Sequence, residues 1–387
     1  MANLENFDFI LPTIIKFGSG RALETGKEVA ALGCKKAMIV TDKGIIAAGL
    51  LNGILKSLEE LNIETIIFDD VEPNPRDTTV QHGAEKALAN GIDVLVAVGG
   101  GSSMDVAKGI GVVVTHGGVI NDYEGLDSVL RPITPIIAIP TTVGTGSEVT
   151  FWSVITDTKR KFKMSVGSPL IAPRVALVDP LMVSKLPPKI TASTGIDALT
   201  HAIEGYTCLL SEPITDAVAL YAIEQISENI RGAVFTECQD NKANMLLASL
   251  IAGIAFGNSD IAAVHSMAEA VGGLYDTPHG VANAILLPYV MEYNYLADPK
   301  KHARIALAMG ENIQGLTQIE AAYKAVEAVR KLNKDLNMPT LVDVGVLIGD
   351  LEELAQRSSV NVSSGSNCRV ITKSDYLDIF IKAYSGS

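Results

Sequence analysis

Nothing in this chain supports a disulfide framework. Its four cysteines, Cys34, Cys208, Cys238 and Cys368, include no CxxC pair, and the shortest gap, Cys208 to Cys238, is too wide for a zinc knuckle. They read as reduced thiols of a cytoplasmic protein. Aromatic residues are scarce at 5%, and Trp152 is the single tryptophan. Cations are outnumbered, with 31 Lys+Arg against 44 Asp+Glu and a formal net charge of −13, which disfavours a nucleic-acid partner. No apolar run reaches the ~20 residues needed to span a membrane. The opening MANLENFDFILP holds acids and no basic leader region, so neither a secretory signal nor a membrane partner is expected.

What is present is apolar and small. Hydrophobic residues make up 48% of 387, enough for a large core, and the length favours two domains. Residues 37–41, 64–68, 92–98 and 133–139 are Val/Ile-rich runs with little polar alternation, which predicts strands buried on both faces. Helical patterns at 51–61 and 78–90 lie between them, as in a parallel sheet with right-handed crossovers. Strand signals fade after about residue 180, and Pro187-Pro188 reads as a linker. Helical stretches follow at 194–208, 214–231, 241–257, 260–273 and 317–337. The expectation is an α/β nucleotide domain over 1–186 and a helical domain over 187–387, with a ligand cleft between them.

Three segments carry chemistry. In IDVLVAVGGGSSMDVAKGI a strand runs through Gly99, Gly100 and Gly101 into a helix beginning near Ser102 and Ser103. Bare backbone at a helix N-terminus suits a pyrophosphate, although the spacing is neither GxGxxG nor a P-loop, and a plain serine-capped turn fits the same residues. After the strand at 133–139 comes PTTVGTGSE, whose threonines sit where open α/β sheets bind ligands or where a solvated loop would lie. Asp42 closes the strand AMIVT, as an acceptor for a ribose hydroxyl or as an ordinary helix cap.

The six histidines are His82, His116, His201, His265, His279 and His302. In GIDALTHAIEGY, Asp197 and His201 are one helical turn apart, on a face that reads as buried. His265 lies on a later apolar helix, and His279 follows in the loop beyond Gly272-Gly273 and Pro278. Together the four make a three-histidine, one-carboxylate set suited to Fe(II) or Zn(II), or else a hydrogen-bonded cluster without a metal.

GGGSSMDVAK, PTTVGTGSE, TGIDALTHAIEGY and PHGVANAILLP, taken together and in this order, resemble the iron-activated (group III) alcohol dehydrogenases, with similarity running from FGSG near residue 17 to the C-terminal helices. The EPNPRDT and GLYDTPHGVANA stretches look closest to the 1,3-propanediol and lactaldehyde types. The resemblance implies a dehydroquinate synthase-like fold, α/β plus all-α, with an N-terminal Rossmann-like parallel-sheet domain that binds the dinucleotide over 1–186 and a helical metal-binding domain over 187–387, and a homo-oligomer. It implies an NAD(H)-dependent reaction between a small primary alcohol and its aldehyde, such as 3-hydroxypropanal, lactaldehyde or a sulfonated aldehyde. It implies metal ligation by Asp197, His201, His265 and His279. It implies pyrophosphate contacts from Gly100, Gly101 and Ser102, further cofactor contacts from Asp105, Thr141, Thr142, Thr145 and Lys163, and NAD selection by Asp42. His82, His116 and His302 match no functional motif. One position departs: where the family commonly has a histidine four residues after His265, this chain has Glu269, an acid expected to face the site and alter substrate choice. Phe151 and Trp152 also depart, and either narrow the pocket or fill core. Two other readings are a non-redox, NAD-using relative of the dehydroquinate synthase kind and a metal- and cofactor-binding protein without turnover.

Overall fold

The computed structural model describes residues 6–236 and 238–386. The chain divides into two compact units: Ile10–Thr142 with Gly146–Leu186, and the residues from Pro187 onward with Val143–Thr145 and the stretch ending at Phe9.

In the first unit, strands β1 (Ile14–Phe17), β2 (Lys36–Val40), β3 (Glu64–Phe68), β4 (Val94–Gly99), β6 (Ile136–Pro140) and β9 (Val175–Val178) form one six-stranded sheet in the order β1-β9-β6-β4-β2-β3. Every pairing in it is parallel. Helices α1 (Thr25–Ala31), α2 (Lys43–Ala47), α3 (Asn52–Glu59), α4 (Asp77–Asn90) and α5 (Gly101–His116) make the connections. Successive strand side chains alternate faces, so Met38 and Val40 enter one core while Ala37 and Ile39 enter the other. All six residues of β4 are buried, which explains its unbroken apolar run.

A second sheet, unforeseen from the sequence, joins the short β5 (Gly125–Leu126) to an antiparallel hairpin of β7 (Trp152–Asp157) and β8 (Phe162–Gly167). β1 and β9 were also unmarked: four residues give too little periodicity to read. β4 starts at Val94 rather than 92 because the Asp93 carboxylate turns back to accept from Lys35 N and Lys36 N.

The second unit is helical: α6 (Pro188–Thr207), α7 (Pro213–Phe235), α8 (Gln239–Asn258), α9 (Ala263–Tyr275), α10 (His279–Asn294), α11 (Pro299–Ala308), α12 (Gln318–Asp335), α13 (Leu351–Ser359) and α14 (Lys373–Ser385). α6 is the central element, packed by α7, α8 and α10 and buried almost continuously from Gly195 to Thr207. The Pro187-Pro188 stretch lies where the chain passes from the first unit to the second, and Pro188 also opens α6 at the position where a missing N–H costs nothing. One expectation needs correcting. His279 is the first residue of α10, not part of a loop. That helix was overlooked because Pro288 interrupts its pattern, yet it continues through the proline to Asn294. No single described helix is long and apolar enough to cross a membrane.

Candidate active site

In the sheet unit the glycine loop sits at the C-terminal end of β4. Gly100, in extended conformation, is the N-cap of α5 and the helix begins at Gly101. No side chain caps it, so the serine-capped alternative is not what forms, and the first-turn amides remain available to an anion. Side chains are sterically excluded here. A Cβ on Gly99 would come 2.3 Å from Ser103 Oγ, and one on Gly100 would come 3.1 Å from Thr142 Cγ2. The PTT loop therefore stands directly over the glycine loop. Ser102 is half-buried in the first turn. Thr141 is 2% exposed, yet its Oγ1 has no hydrogen-bond partner. A buried hydroxyl without a partner is a vacancy in the hydrogen-bond accounting that a ligand would fill. Asp42 is a helix cap, accepting from Ile45 N at 3.0 Å, and its second oxygen lies 3.8 Å from the position a Gly99 Cβ would take. The cap on α2 is therefore formed, and the second oxygen is left near the loop.

Asp105 is turned away from the loop. Its carboxylate accepts from Ser147 Oγ at 2.9 Å and Val154 N at 3.2 Å, tying α5 to the PTTVGTGSE loop and β7, while burial raises its pKa. Beside it, Lys108 is fully buried and donates to Ser147 O, Ser147 Oγ, Thr150 Oγ1 and Trp152 O. Burial lowers Lys108 to about 8 and raises Glu148 to about 7. Lys108 belongs to the GGGSSMDVAK motif but drew no role from the sequence; its burial was the missing information. Lys163 sits on β8 opposite Thr156, and its charge reaches Asp105. Trp152 lies across Gly167 in the hairpin, where a Cβ would be 2.4 Å from the indole, so its packing partner lies within its own hairpin. Thr145 belongs to the segment Val143–Thr145, which groups with the helical unit, where Gly144 is pressed against Thr194.

In the helical unit, Asp197 and His201 of α6, His265 of α9 and His279 of α10 converge, with one donor atom from each lying within 4.8 Å of all the others. The His201 and His265 rings stack at 4.5 Å between centroids, and Phe256 stacks on the other neighbour of the pair, His201, at 4.2 Å. Asp197 is 3% exposed and His265 1%. Burial opposes ionisation of Asp197, but the three surrounding histidines outweigh it and its pKa falls. Burial pushes His201 down to about 4 and keeps it neutral. His201 Nδ1 is buried without a partner, and so is Asn283 Oδ1.

Two supporting residues escaped the sequence reading. Glu204, one turn after His201, accepts from His265 Nδ1 at 2.5 Å, from Val264 N at 2.7 Å and from Ala262 N at 3.0 Å. Against the effect of burial, that carboxylate raises the His265 pKa and fixes the tautomer in which Nε2 is unprotonated and presents its lone pair. Asn283, one turn after His279, puts Nδ2 2.6 Å from Asp197 Oδ1 and 3.2 Å from both His265 Nε2 and His279 Nε2. Both stand at helical spacing from a candidate ligand, a signal that was available in the sequence. Glu269 is half-buried on α9, one turn beyond His265, and accepts from Asn361 Nδ2 at 2.6 Å. The remaining histidines lie elsewhere: His82 pairs with Asp70, His116 Nδ1 contacts Val112 O, and buried His302 contacts Asp298 O.

A set of one buried carboxylate, two buried imidazoles, one of them with an unpartnered nitrogen, and the half-buried imidazole of His279 fits a divalent ion. An uncapped glycine loop with an unsatisfied threonine hydroxyl at the C-terminal edge of a parallel sheet fits a dinucleotide. These are the parts of a metal-using nicotinamide oxidoreductase. Residues 12–180 match the family model described as iron-containing alcohol dehydrogenase, and residues 191–384 match the C-terminal model of the same family. The chain is 43% identical to a 1,3-propanediol dehydrogenase of Citrobacter freundii over 98% of its own length and 99% of the relative's. It is 44% identical to a choline dehydrogenase of Bacillus subtilis (strain 168), covering 97% and 95%. A solved 1,3-propanediol oxidoreductase superposes with a TM-score of 0.96 at 43% identity, covering 98% of this chain and all of that one. The chain therefore belongs to the iron-containing alcohol dehydrogenase family, an NAD(H)- and iron-using family of oxidoreductases acting on small alcohols and aldehydes.

Proposed function

We propose that this enzyme interconverts a short primary alcohol and its aldehyde, works in the direction of aldehyde reduction, and has 3-hydroxypropanal as the first substrate to test. The high identity to 1,3-propanediol dehydrogenase supports that choice. Asp197, His201, His265 and His279 hold the ion, Fe(II) in the first instance and Zn(II) as the alternative. The observation that carries this assignment is the convergence of their four donor atoms within 4.8 Å in a buried setting. When bound, such an ion supplies Lewis-acid polarisation of the alcohol or aldehyde oxygen, and NAD(H) supplies the hydride chemistry.

The protein's own groups bind and orient. Glu204 holds the His265 ring and its tautomer, and Asn283 orients the Asp197 carboxylate. Gly100, Gly101 and Ser102 offer amides to the pyrophosphate, and Thr141 and Thr142 close over them. Asp42 accepts from the ribose and repels a 2′-phosphate, which selects NAD. Asp105 and Lys108 brace the loop, while Thr145 and Lys163 add cofactor contacts. The near-complete burial of Asp197 and His265 keeps bulk water from the ligand set.

A homo-oligomer is supported by the sheet edge: β1 is a terminal strand, and Ile14 on it is 60% exposed with Ile10, Leu11 and Phe17 nearby. A cytoplasmic location is consistent with four free thiols. Chelator-stripped protein, reloaded anaerobically with Fe(II) or Zn(II), is to be followed by NADH loss with 3-hydroxypropanal, lactaldehyde and sulfoacetaldehyde. Turnover restored only by metal is the expected result. Tight metal and NADH binding with no turnover of any aldehyde would leave a binding protein instead.

A further inference from the structure

Asn283 lies on α10 one turn after His279 and is fully buried. Backbone packing imposes its position. Gly280 sets α10 directly against α6, since a Cβ there would come 2.4 Å from Ser193 O and 3.2 Å from Asp197 Cβ. That approach carries the Asn283 amide into the ligand set. Its Nδ2 is 2.6 Å from Asp197 Oδ1 and 3.2 Å from both His265 Nε2 and His279 Nε2. Asp197 Oδ1 and His279 Nε2 are themselves 3.7 Å apart. One nitrogen therefore reaches three of the four residues assigned to the ion.

The chemistry of that nitrogen is the opposite of a ligand's. An amide nitrogen carries two N–H donors and no available lone pair, so it presents the positive end of a dipole and cannot coordinate a metal. The Asn283 Oδ1 atom is buried with no hydrogen-bond partner, a cost the side chain bears with its nitrogen turned inward. Turning the amide over would set an oxygen against a carboxylate and two imidazole nitrogens. An imidazole nitrogen has a single lone pair. Glu204 accepts from His265 Nδ1, so the lone pair of that ring is on Nε2. It can accept from Asn283 or ligate an ion, and not both. Asp197 has lone pairs to spare and can keep its bond to Asn283.

We propose that Asn283 is a stand-in for the ion: its amide nitrogen satisfies the ligand set in metal-free protein and yields the imidazole lone pairs when the ion binds, which lowers metal affinity. This rests on the assignment of Asp197, His201, His265 and His279 to a divalent ion, and adds a competitor built into the same site. A plain support for Asp197 has the opposite consequence, because removing a residue that orients a ligand weakens metal binding. The sign of the change separates the two roles.

The test compares full-length, chelator-stripped wild type with Asn283→Ala, using Zn(II) alone as the probe. The thermal midpoint of the metal-free protein and the Zn(II) affinity, from competition with a chromophoric chelator, are the two readouts. The variant is expected to melt about 5 °C lower without metal, because Asp197 and two imidazoles lose their donor. It is expected to bind Zn(II) about tenfold more tightly, because no hydrogen bonds are surrendered on loading. If Asn283→Ala does not fold without metal, Asn283→Ser takes its place; its shorter hydroxyl cannot span all three partners, and the same sign is expected. Zn(II) affinity that is unchanged or weaker in the folded variant overturns the inference and leaves Asn283 as a support for Asp197. Absence of Zn(II) binding by the wild type would instead overturn the ion-site assignment, and this inference with it.

Discussion

The two units build their sites from different materials. In the sheet unit the glycine loop works by what is missing: side chains are excluded at Gly99 and Gly100, and the helix start is left uncapped. In the helical unit the candidate ligand set depends on burial: Asp197, His201 and His265, with their neighbour Glu204, are polar and nearly inaccessible, and His279 is half-buried. A backbone site depends on steric clearance and is indifferent to protonation. A buried side-chain site carries a desolvation cost that partners or an ion must offset. The contrast explains why each unit tolerates different changes.

The largest expected effect is therefore loss of a ligand. His201→Ala should lower turnover by roughly 10³-fold or more and abolish stoichiometric metal, while NADH affinity stays within a few-fold of wild type. Metal analysis and NADH fluorescence titration separate the two. The reciprocal change is Gly99→Val, whose Cβ would collide with Ser103 Oγ at 2.3 Å. NADH binding should weaken by about 100-fold with metal content intact. If either variant lost both ligands equally, the two sites would not be separable in this way.

Glu148 brings protonation into the sheet unit, away from its glycine loop. Burial raises its pKa from 4.5 to about 7, so the folded state keeps its proton to higher pH than the unfolded state. Its contribution to stability is full below pH 4.5 and is lost as pH rises through about 7. The loss is on the order of 3 kcal/mol. Urea denaturation of metal-free protein at pH 5 and pH 8 should show a smaller difference in Glu148→Gln than in wild type. A slope unchanged by the substitution would assign the pH dependence to other groups. The smallest effect sharpens the comparison in the helical unit. Glu204→Gln keeps the shape around His265 but no longer enforces its tautomer, and metal affinity should fall by 10- to 100-fold. Competition with a chromophoric chelator measures it, and unchanged affinity would reduce Glu204 to a packing role.

Much of this was legible in the chain. The buried strand at 37–41 announced itself because a parallel sheet covered on both faces needs continuous apolar runs, whereas the run at 64–68 forms a strand at the sheet edge in which only Phe68 is buried. Asp197 and His201 could be paired because helical spacing alone sets them one turn apart. The β7–β8 hairpin was harder to see. Its burial alternates and its turn, TDTKRK, is highly charged, so it lacks the continuous apolar run that marks the central strands. His279 was assigned to a loop because Pro278 and Pro288 mask the helix it opens. Glu204 was within one turn of His201, but nothing in local spacing says that its carboxylate would meet His265 61 residues later.

The sequence by itself determined the central buried strands with their intervening helices, the helical character of the second half, the glycine backbone of the loop and the family, because these depend on local pattern and motif. Only the tertiary structure decided that Asp105 turns inward to Ser147, that Lys108 is buried, that Asp42 caps a helix while leaving one oxygen at the loop, and that Glu269 is held by a neutral amide. Those outcomes depend on which groups from distant segments are brought within hydrogen-bond reach and how much water is excluded, and neither is set by local spacing.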